Sequence, residues 1–450
     1  IDFKAADARG AGLRILTDCA ASTRFDIAPG LYDGLPYDAL AYFYHNRSGV
    51  PIDATLAGST ALARPAAHVR DVAACRSGED PFGNDWPGCD YTLDVSGGWY
   101  DAGDHGKYVV NGGISVWTLM NAWERQHARD LPDRFSDGQA AIPEAGNGIS
   151  DLLDEARFEL EFLLRMQAPA DAVAAVPVGV KRPSSGLEFT RIDAAGMAHH
   201  KVSDRNWTPL PMPPHLDTEE RVLFPVSTAA TLNLAAVAAQ CARIWRDIDA
   251  AFADRCRDAA TRAWDAAVRN PEVYFIAAFG GSGMYGDGEL GDEFFWAAAE
   301  LLATTGDAVY RAAVSASPFL DATPAEPGWP SVAPLGLITL ALHGDALGRD
   351  VTAGVRERIV AAADGFLGET TSSGYRIPFA AERFVWGSNA VLLNRAILLA
   401  YAEDFTNDRR YRGGVVDVVD YLLGRNPLDV SFISGYGDRP MRFPHHRYWA

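Results

Sequence analysis

The feature that most constrains the fold is the recurrence of helical apolar patterns along most of the chain. One amphipathic stripe has the i, i+3, i+4, i+7 spacing of a helix and consists of Ile149, Leu152, Leu153, Ala156, Leu160, Leu163 and Leu164. Further helices are predicted from Pro36 to Ser48-Gly49, from a Ser227 or Thr228 cap to Trp245, from there to Pro271 after a turn at 247–250, and near 293–304, 335–343, 352–366, 386–402 and 411–423.

Several of these helices are apolar on nearly every side, most clearly from Asn389 to Ala402. Such helices cannot form the outer shell of a small bundle, because they need buried surroundings on all faces. A two-layer helical barrel provides those surroundings. Strand-like segments between the helices are few, which excludes the regular alternation of a doubly wound α/β fold. The sequence therefore predicts an all-α fold.

Residues 1–28 differ from the rest of the chain. Leu13 and Ile15, and then Phe25 and Ile27, alternate with polar residues around a turn-rich segment, as expected for two β-strands. Because two strands alone are not a stable domain, we expect them to be the last strands of a β-sandwich. The junction with the helical part is expected at residues 28–30.

The charge of the chain limits its partners. The formal net charge is −19, which argues against binding nucleic acid or an anionic membrane, since both require a basic surface. No run of about 18 apolar residues predicts a membrane span, and no signal peptide begins at Ile1. A neutral sugar polymer is compatible with this composition.

Cysteine placement gives a clue to the compartment. Cys75 and Cys89 lie in a polar loop, and Cys241 and Cys256 lie on either side of the predicted turn between two helices, so both pairs could form disulfides. Disulfides favour an oxidising, extracytoplasmic location. Free buried cysteines are the alternative, and Cys19 is left unpaired in either case.

The most informative motif is SGGWYDAGDH at residues 96–105. Its glycines allow tight turns, and Asp101 and Asp104 are separated by only two small residues, so both carboxylates can point at one spot. Such a pair can hold a water molecule while one member accepts its proton. A calcium loop or an Asx-turn surface loop is the alternative, although the spacing lacks the calcium-loop rhythm.

This segment resembles the aspartate signature of glycoside hydrolase family 9, best known for cellulases. Other segments resemble the family in the expected order, and they are YFYHNRSGVP at 42–51, STAATLN at 227–233, DEFFWAAAE at 292–300, YLLGRNPL at 421–428, SFISGYG at 431–437 and PHHR at 444–447. Several ordered motifs are more specific than any one of them.

The resemblance implies an (α/α)6 barrel over residues 29–450 and an inverting mechanism, with residues 1–28 as the end of an immunoglobulin-like module. It implies Asp104 as the general base and Asp101 as the second aspartate that holds the water. His445 and Arg447 match the family's His-x-Arg pair, which binds substrate in the cleft. For that pair, a metal site or a basic surface patch is the alternative.

The general acid of the family is a glutamate downstream of the His-x-Arg segment, and no residue of the 450 matches it. An inverting hydrolase needs an acid and a base about 6.5–9.5 Å apart. Glu300 and Glu382 lie in matching segments, but nothing in the sequence places either at the acid position. We therefore expect a chain truncated at its C-terminus, and an inactive or nearly inactive one as it stands.

Two metal sites of the family bear on this chain. Asp292 and Glu293 resemble a calcium site, since adjacent carboxylates suit that hard cation; a helix N-terminus with acidic first-turn residues is the alternative. A zinc site would need two histidines beside Cys75 and Cys89 to complete four tetrahedral ligands. Asp90 and Tyr100 occupy the positions where those histidines are expected. A disulfide is therefore preferred to zinc, and no catalytic cofactor is expected.

The leading functional hypothesis is a secreted, monomeric endo-β-1,4-glucanase acting on cellulose or a related β-glucan. An exo-acting hydrolase of short β-linked oligosaccharides, such as a glucosaminidase, is the first alternative. A non-catalytic carbohydrate-binding protein is the second. Tryptophans in the long links could stack on sugar rings, namely Trp86, Trp99, Trp207, Trp329 and Trp386.

Overall fold

Eleven α-helices are the main elements of the computed structural model, which describes residues 9–448. They are α1 Leu35–His45, α2 Val109–Ala128, α3 Asp151–Arg165, α4 Thr228–Trp245, α5 Ala250–Arg269, α6 Gly291–Thr305, α7 Ala308–Ala316, α8 Ala333–His343, α9 Arg349–Thr370, α10 Ser388–Thr406 and α11 Arg409–Leu422. The predicted all-α class is confirmed. Within the described range, no helix is both long enough and apolar enough to cross a membrane.

Helix α4 shows how the sequence produces two layers. Its N-cap is Ser227, whose hydroxyl accepts a hydrogen bond from the Ala230 N–H at 3.2 Å. Every residue of α4 except Arg243 is buried, and α4 packs against α2, α5 and α6. In contrast, α5 buries one face and exposes the other. An apolar helix inside and an amphipathic one outside are what a double-layered arrangement requires.

The inner helices meet at a buried polar centre on Glu300 of α6. Its Oε1 accepts hydrogen bonds from Nε1 of Trp117 on α2 at 2.8 Å and from the Thr339 hydroxyl on α8 at 2.6 Å. Its Oε2 accepts one from Arg243 of α4 at 2.9 Å. The Glu300 side chain is fully buried, so these bonds satisfy it and tie four helices together.

Short strands in the links between helices form small sheets. The largest has five strands in the order β6-β3-β12-β11-β7, and its members are β3 Val72–Cys75, β6 Thr92–Asp94, β7 Lys107–Tyr108, β11 Lys201–Asp204 and β12 Arg221–Leu223. The remaining strands are β1 Gly10–Leu13, β2 Phe25–Ile27, β4 Gly78–Glu79, β5 Asp85–Trp86, β8 Val173–Val176, β9 Thr190–Asp193, β10 Ala198–His199 and β13 Val226–Ser227. The five-stranded sheet brings residues from three distant links beside the Asp101–Asp104 loop.

The first described residues form the two-stranded sheet expected near the N-terminus. Strands β1 and β2 are antiparallel, with Gly10 opposite Ile27 and Leu13 opposite Phe25. Ile15, expected in the first strand, lies outside β1. Residues 1–8 fall outside the described range. The assignment of this segment to an immunoglobulin-like module stays a prediction.

Candidate active site

The Asp101–Asp104 loop is held in a tight conformation by its own backbone. Gly97 and Gly98 have φ angles of +84° and +77°, a region that favours glycine. A Cβ atom on Gly98 would lie 2.5 Å from the Phe162 ring, so only glycine fits there. The Asp101 N–H donates to the Gly106 carbonyl at 2.9 Å. This closed turn fixes the positions of both carboxylates.

Asp104 is 3% exposed and accepts three hydrogen bonds. Its Oδ1 accepts from the Gly106 N–H at 2.6 Å. Its Oδ2 accepts from the Tyr108 hydroxyl at 2.7 Å and from the Gly283 N–H at 2.8 Å. These three donors fix the orientation of the carboxylate.

Asp101 is half-buried and accepts a hydrogen bond from the Tyr285 hydroxyl at 3.0 Å. Burial, followed by the negative charge of Asp104, raises the pKa of Asp101 to about 6. Asp101 also lines a small cavity of about 110 Å³ together with Tyr42. The pair therefore has two environments, since Asp104 accepts three hydrogen bonds and Asp101 lines a cavity.

Lys201 on β11 lies behind the pair. Its ammonium group donates to the Ser282 hydroxyl at 2.8 Å and to the Gly283 carbonyl. Burial lowers the pKa of Lys201 to about 7, and the charges of Asp104 and Asp101 act in the opposite direction. A positive charge is thus buried within the electrostatic reach of two carboxylates.

His105 anchors the far side of the loop. Its Nδ1 lies 2.8 Å from Oδ2 of Asp217, and its Nε2 lies 3.0 Å from the Met212 carbonyl oxygen. Burial opposes the charged ring, but hydrogen bonds to Asp204 and Asp217 outweigh it and raise the pKa of His105. Arg221 binds Asp204 at 2.7 Å in the same network. The loop is therefore held by buried charges on both sides.

One group in this network has metal-binding residue types. Ligand atoms of His68, Asp204 and Asp217 all lie within 4.8 Å of one another. However, Asp204 is already bound by Arg221 and Asp217 by His105. Because a guanidinium occupies the position beside the carboxylate that a cation would take, hydrogen bonding accounts for this group without a metal.

The predicted substrate-binding pair occupies two different environments. Arg447 is 8% exposed, and its guanidinium donates to the carbonyl oxygens of Gly103 at 2.9 Å and Thr208 at 2.8 Å. The His445 ring lies over the loop, with its Nε2 3.0 Å from where a Cβ atom on Gly103 would stand. Arg447 thus contacts the backbone that carries Asp104. Substrate binding by this pair stays a prediction.

The two glutamates considered for the general acid also lie in different surroundings. Glu300 has its carboxylate bound by Trp117, Thr339 and Arg243 inside the helical core. Glu382 is exposed in a short 3₁₀ turn. Neither arrangement gives a reason to assign the acid to these residues.

Three carboxylates meet at the start of α6. Asp292 and Glu293 are buried, and Asp287 from the preceding loop joins them. Burial and the neighbouring acidic groups raise the pKa of Glu293 well above its usual value. One oxygen of each carboxylate is buried without a hydrogen-bond partner. Because buried polar atoms are normally satisfied, these orphaned oxygens fit a hard cation such as calcium.

The two expected disulfides differ in the structure. Cys75 and Cys89 are bonded, with their Cα atoms 5.3 Å apart. Cys241 and Cys256 are buried free cysteines whose Sγ atoms lie 2.7 Å apart. The packing of α4 against α5 makes the two cysteines neighbours, and a bond between them stays a prediction.

The candidate stacking tryptophans divide by exposure. Trp86 and Trp99 are buried in the core. Trp207 and Trp386 are exposed, Trp386 by 85%. The Trp386 ring lies 5.2 Å from the His445 ring, which places it beside the loop. Trp329 is partly buried and contacts Tyr285, with the ring centres 5.4 Å apart.

Four site residues were not predicted from the sequence. Tyr108, Gly283 and Tyr285 donate to the aspartates, and Lys201 supplies the buried charge. Asp287 was also missed as a partner of Asp292. The Gly-rich character of residues 280–291 was a signal for the loop as a whole, but nothing in it indicated which of its groups would reach Asp104.

Comparisons with known proteins show the family of the chain. The family model described as "Glycosyl hydrolase family 9" matches residues 32–450. The chain is 41% identical to "Cellulose 1,4-beta-cellobiosidase" of Acetivibrio thermocellus over 100% of this chain and 53% of the relative. It is 42% identical to "Endoglucanase C" of Cellulomonas fimi over 100% of this chain and 40% of the relative. The chain thus spans about half the length of these curated relatives or less.

Solved structures extend the comparison to the fold. The family 9 endoglucanase J30 has a TM-score of 0.83 at 31% identity, covering 100% of this chain and 77% of that one. AaCel9A in complex with cellobiose-like isofagomine has a TM-score of 0.81 at 29% identity, covering 99% and 77%. This similarity confirms the expected (α/α)6-barrel fold.

Proposed function

Since the chain belongs to glycosyl hydrolase family 9, we propose that it hydrolyses β-1,4-glucosidic bonds of cellulose or a related β-glucan with inversion at the anomeric carbon. The single observation that carries the proposal is the Asp101–Asp104 pair on its closed turn. The names of the relatives, an endoglucanase and a cellobiosidase, support a β-1,4-glucan as substrate.

In the proposed reaction, Asp104 is the general base and Asp101 helps to hold the water. The water oxygen attacks the anomeric carbon while Asp104 accepts one of its protons, and the glycosidic C–O bond breaks. The leaving oxygen takes a proton from a general acid. Three hydrogen bonds to Asp104 support this role, since they hold its carboxylate in one orientation beside Asp101.

The acid half of the reaction is proposed from the family resemblance alone. It assigns the acid to a glutamate downstream of the His-x-Arg segment. The 450-residue chain is to be assayed beside a chain that includes such a glutamate, and we expect faster turnover in the latter. Equal turnover by both chains would contradict the assignment of the acid.

The reaction and its mode are tested by product analysis. Proton NMR of the first-formed product should show the α-anomer released from a β-linked cello-oligosaccharide, because inversion changes the anomeric configuration. A first-formed β-anomer would contradict inversion.

A fast viscosity fall in a soluble cellulose derivative indicates the endo mode. Monosaccharide or cellobiose release at constant viscosity would favour the exo alternative, for which the cellobiosidase relative is an argument.

We also propose a structural calcium ion bound by Asp287, Asp292 and Glu293. Their three orphaned buried oxygens support it, and the ion would stabilise the loop that carries Gly283 and Tyr285 without entering the chemistry. Chelation should lower the melting temperature of the wild type. The Asp292→Asn variant is the control, because chelation should change its melting temperature much less. An unchanged wild-type melting temperature would refute the site.

Family 9 cellulases are typically extracellular, and we propose secretion and a monomeric state for this protein as well. The Cys75–Cys89 disulfide supports an oxidising compartment.

A non-catalytic sugar-binding role is the competing proposal. It predicts that replacing Asp104 changes neither hydrolysis, which would be absent throughout, nor sugar binding.

A further inference from the structure

The loop of residues 282–285 places two hydrogen-bond donors on the aspartate pair. Its Gly283 N–H binds Asp104 at 2.8 Å, and the Tyr285 hydroxyl binds Asp101 at 3.0 Å. These residues are separated from the aspartates by about 180 positions in the chain. Whatever holds this loop against the rest of the protein therefore also determines where the carboxylates are bound.

Lys201 forms hydrogen bonds to the loop of residues 282–285. Its ammonium group donates to the Ser282 hydroxyl at 2.8 Å and to the Gly283 carbonyl. The Ser282 hydroxyl in turn donates to Ser203 at 2.8 Å, on the same strand as Lys201. The Gly283 residue is thus bound on both sides, since its carbonyl accepts from Lys201 and its N–H donates to Asp104.

The ammonium group lies in a pocket that excludes water. The Lys201 side chain is 0% exposed, and its Nζ lies 4.0 Å from the ring centre of Phe224 and 5.3 Å from that of Phe275. Aromatic faces attract a cation, and a dry environment strengthens its field at nearby charges. A buried lysine of this kind is costly unless negative groups compensate it.

The compensating groups are the two aspartates. Both Asp104 and Asp101 favour the charged form of Lys201. The other titratable groups that face Lys201 are neutral near pH 6, because burial keeps the pKa of His200 low, at about 3, and raises that of Tyr108. One cation therefore faces two carboxylates across the peptide that it binds.

We propose that Lys201 is a positioning residue of the active site, which clamps the Gly283 peptide onto Asp104 and places a buried positive charge beside the aspartate pair. The inference rests on the proposed role of Asp104 and adds to it a residue that does not touch the substrate. It assigns two separable effects, a clamp through Ser282 and Gly283 and an electrostatic effect on Asp101.

Two variants separate these effects in an active, C-terminally extended chain. Lys201→Gln keeps hydrogen-bond donors but removes the charge that lowers the pKa of Asp101, so Asp101 should titrate higher. The acidic limb of the pH profile of kcat/KM should move up by about one unit, with about tenfold lower kcat/KM on that limb. Ser282→Ala weakens the clamp and keeps the charge, so it should lower kcat without moving the limb. Lys181→Gln, an exposed lysine, should change neither.

A second measurement does not depend on activity or on the folding of a Lys201 variant. The chain has four lysines, Lys4, Lys107, Lys181 and Lys201, so the side-chain NMR titration of each can be followed in the full chain. Asp104→Asn should lower the midpoint of Lys201 by about one unit, because a compensating charge is lost, and leave Lys181 unchanged. An unmoved Lys201 midpoint would overturn the proposal. A wild type without hydrolysis would refute the proposed function instead and leave this titration interpretable.

Discussion

Replacing Glu300 should destabilise the protein without changing its chemistry. Oε1 of Glu300 accepts from Trp117 and Thr339, and Oε2 accepts from Arg243. Glu300→Gln can keep the first two bonds, but its amide N–H₂ then faces the guanidinium. A hydrogen bond to a charged group is worth about 1.5–3 kcal/mol, so we expect a loss of about 2–3 kcal/mol. Glu300→Met removes all three acceptors, and breaking a buried pair costs about 3–5 kcal/mol.

The assay is thermal unfolding beside a matched control. The unfolding entropy is about 2.1 cal/mol/K per residue, or about 0.9 kcal/mol/K for a cooperative unit of this size. Tm should therefore fall by about 2–3 °C for Glu300→Gln and by about 3–5 °C for Glu300→Met. Glu382→Gln, at an exposed glutamate, should leave Tm within about 1 °C. Equal Tm for Glu300→Gln and Glu382→Gln would refute the stabilising role. Lost hydrolysis at unchanged Tm would instead indicate that Glu300 acts in catalysis.

Three further results are expected. Because burial and Asp104 raise the pKa of Asp101 to about 6, kcat/KM should decrease below about pH 6. Tyr285→Phe removes a hydrogen bond that favours ionised Asp101, so this decrease should begin at a higher pH. An unchanged pH profile would contradict the link between Tyr285 and Asp101. Arg447→Met should lower kcat by about tenfold or more, because it removes the hydrogen bond to the Gly103 carbonyl. A rise in KM alone would indicate that Arg447 acts through substrate binding and not through the loop. Reducing Cys75–Cys89, which closes a loop of separation 14, should cost about 3 kcal/mol and lower Tm by about 3 °C; an unchanged Tm contradicts this.

Helices with clear local signals were predictable from the sequence. Ser227 caps α4 as expected, and Asp249 caps α5 at the predicted turn. Helix α2 was missed because its first turn contains Asn111-Gly112-Gly113, a sequence that indicates a loop. The structure gives the reason for Gly113, since a Cβ atom there would lie 1.6 Å from Oδ1 of Asn233 on α4. That requirement comes from helix packing and has no local signature.

The residues of the candidate active site likewise divide into those with a local sequence signal and those without one. The Asp101–Asp104 pair was predictable because its chemistry lies within four consecutive residues. Its partners Lys201, Gly283 and Tyr285 were not, because the sheet and the loop bring them in from positions about 100 to 180 residues away. Local spacing carries no information on such contacts.

The central claim is tested most directly at Asp104. Asp104→Asn in a C-terminally extended chain should lose hydrolysis of cello-oligosaccharides and keep their binding, measured in parallel by calorimetry. Asp94→Asn is the control, because Asp94 is an exposed aspartate of the same segment whose side chain accepts hydrogen bonds from Ser96, and it should keep both. Unaltered hydrolysis by Asp104→Asn would contradict its assignment as the general base.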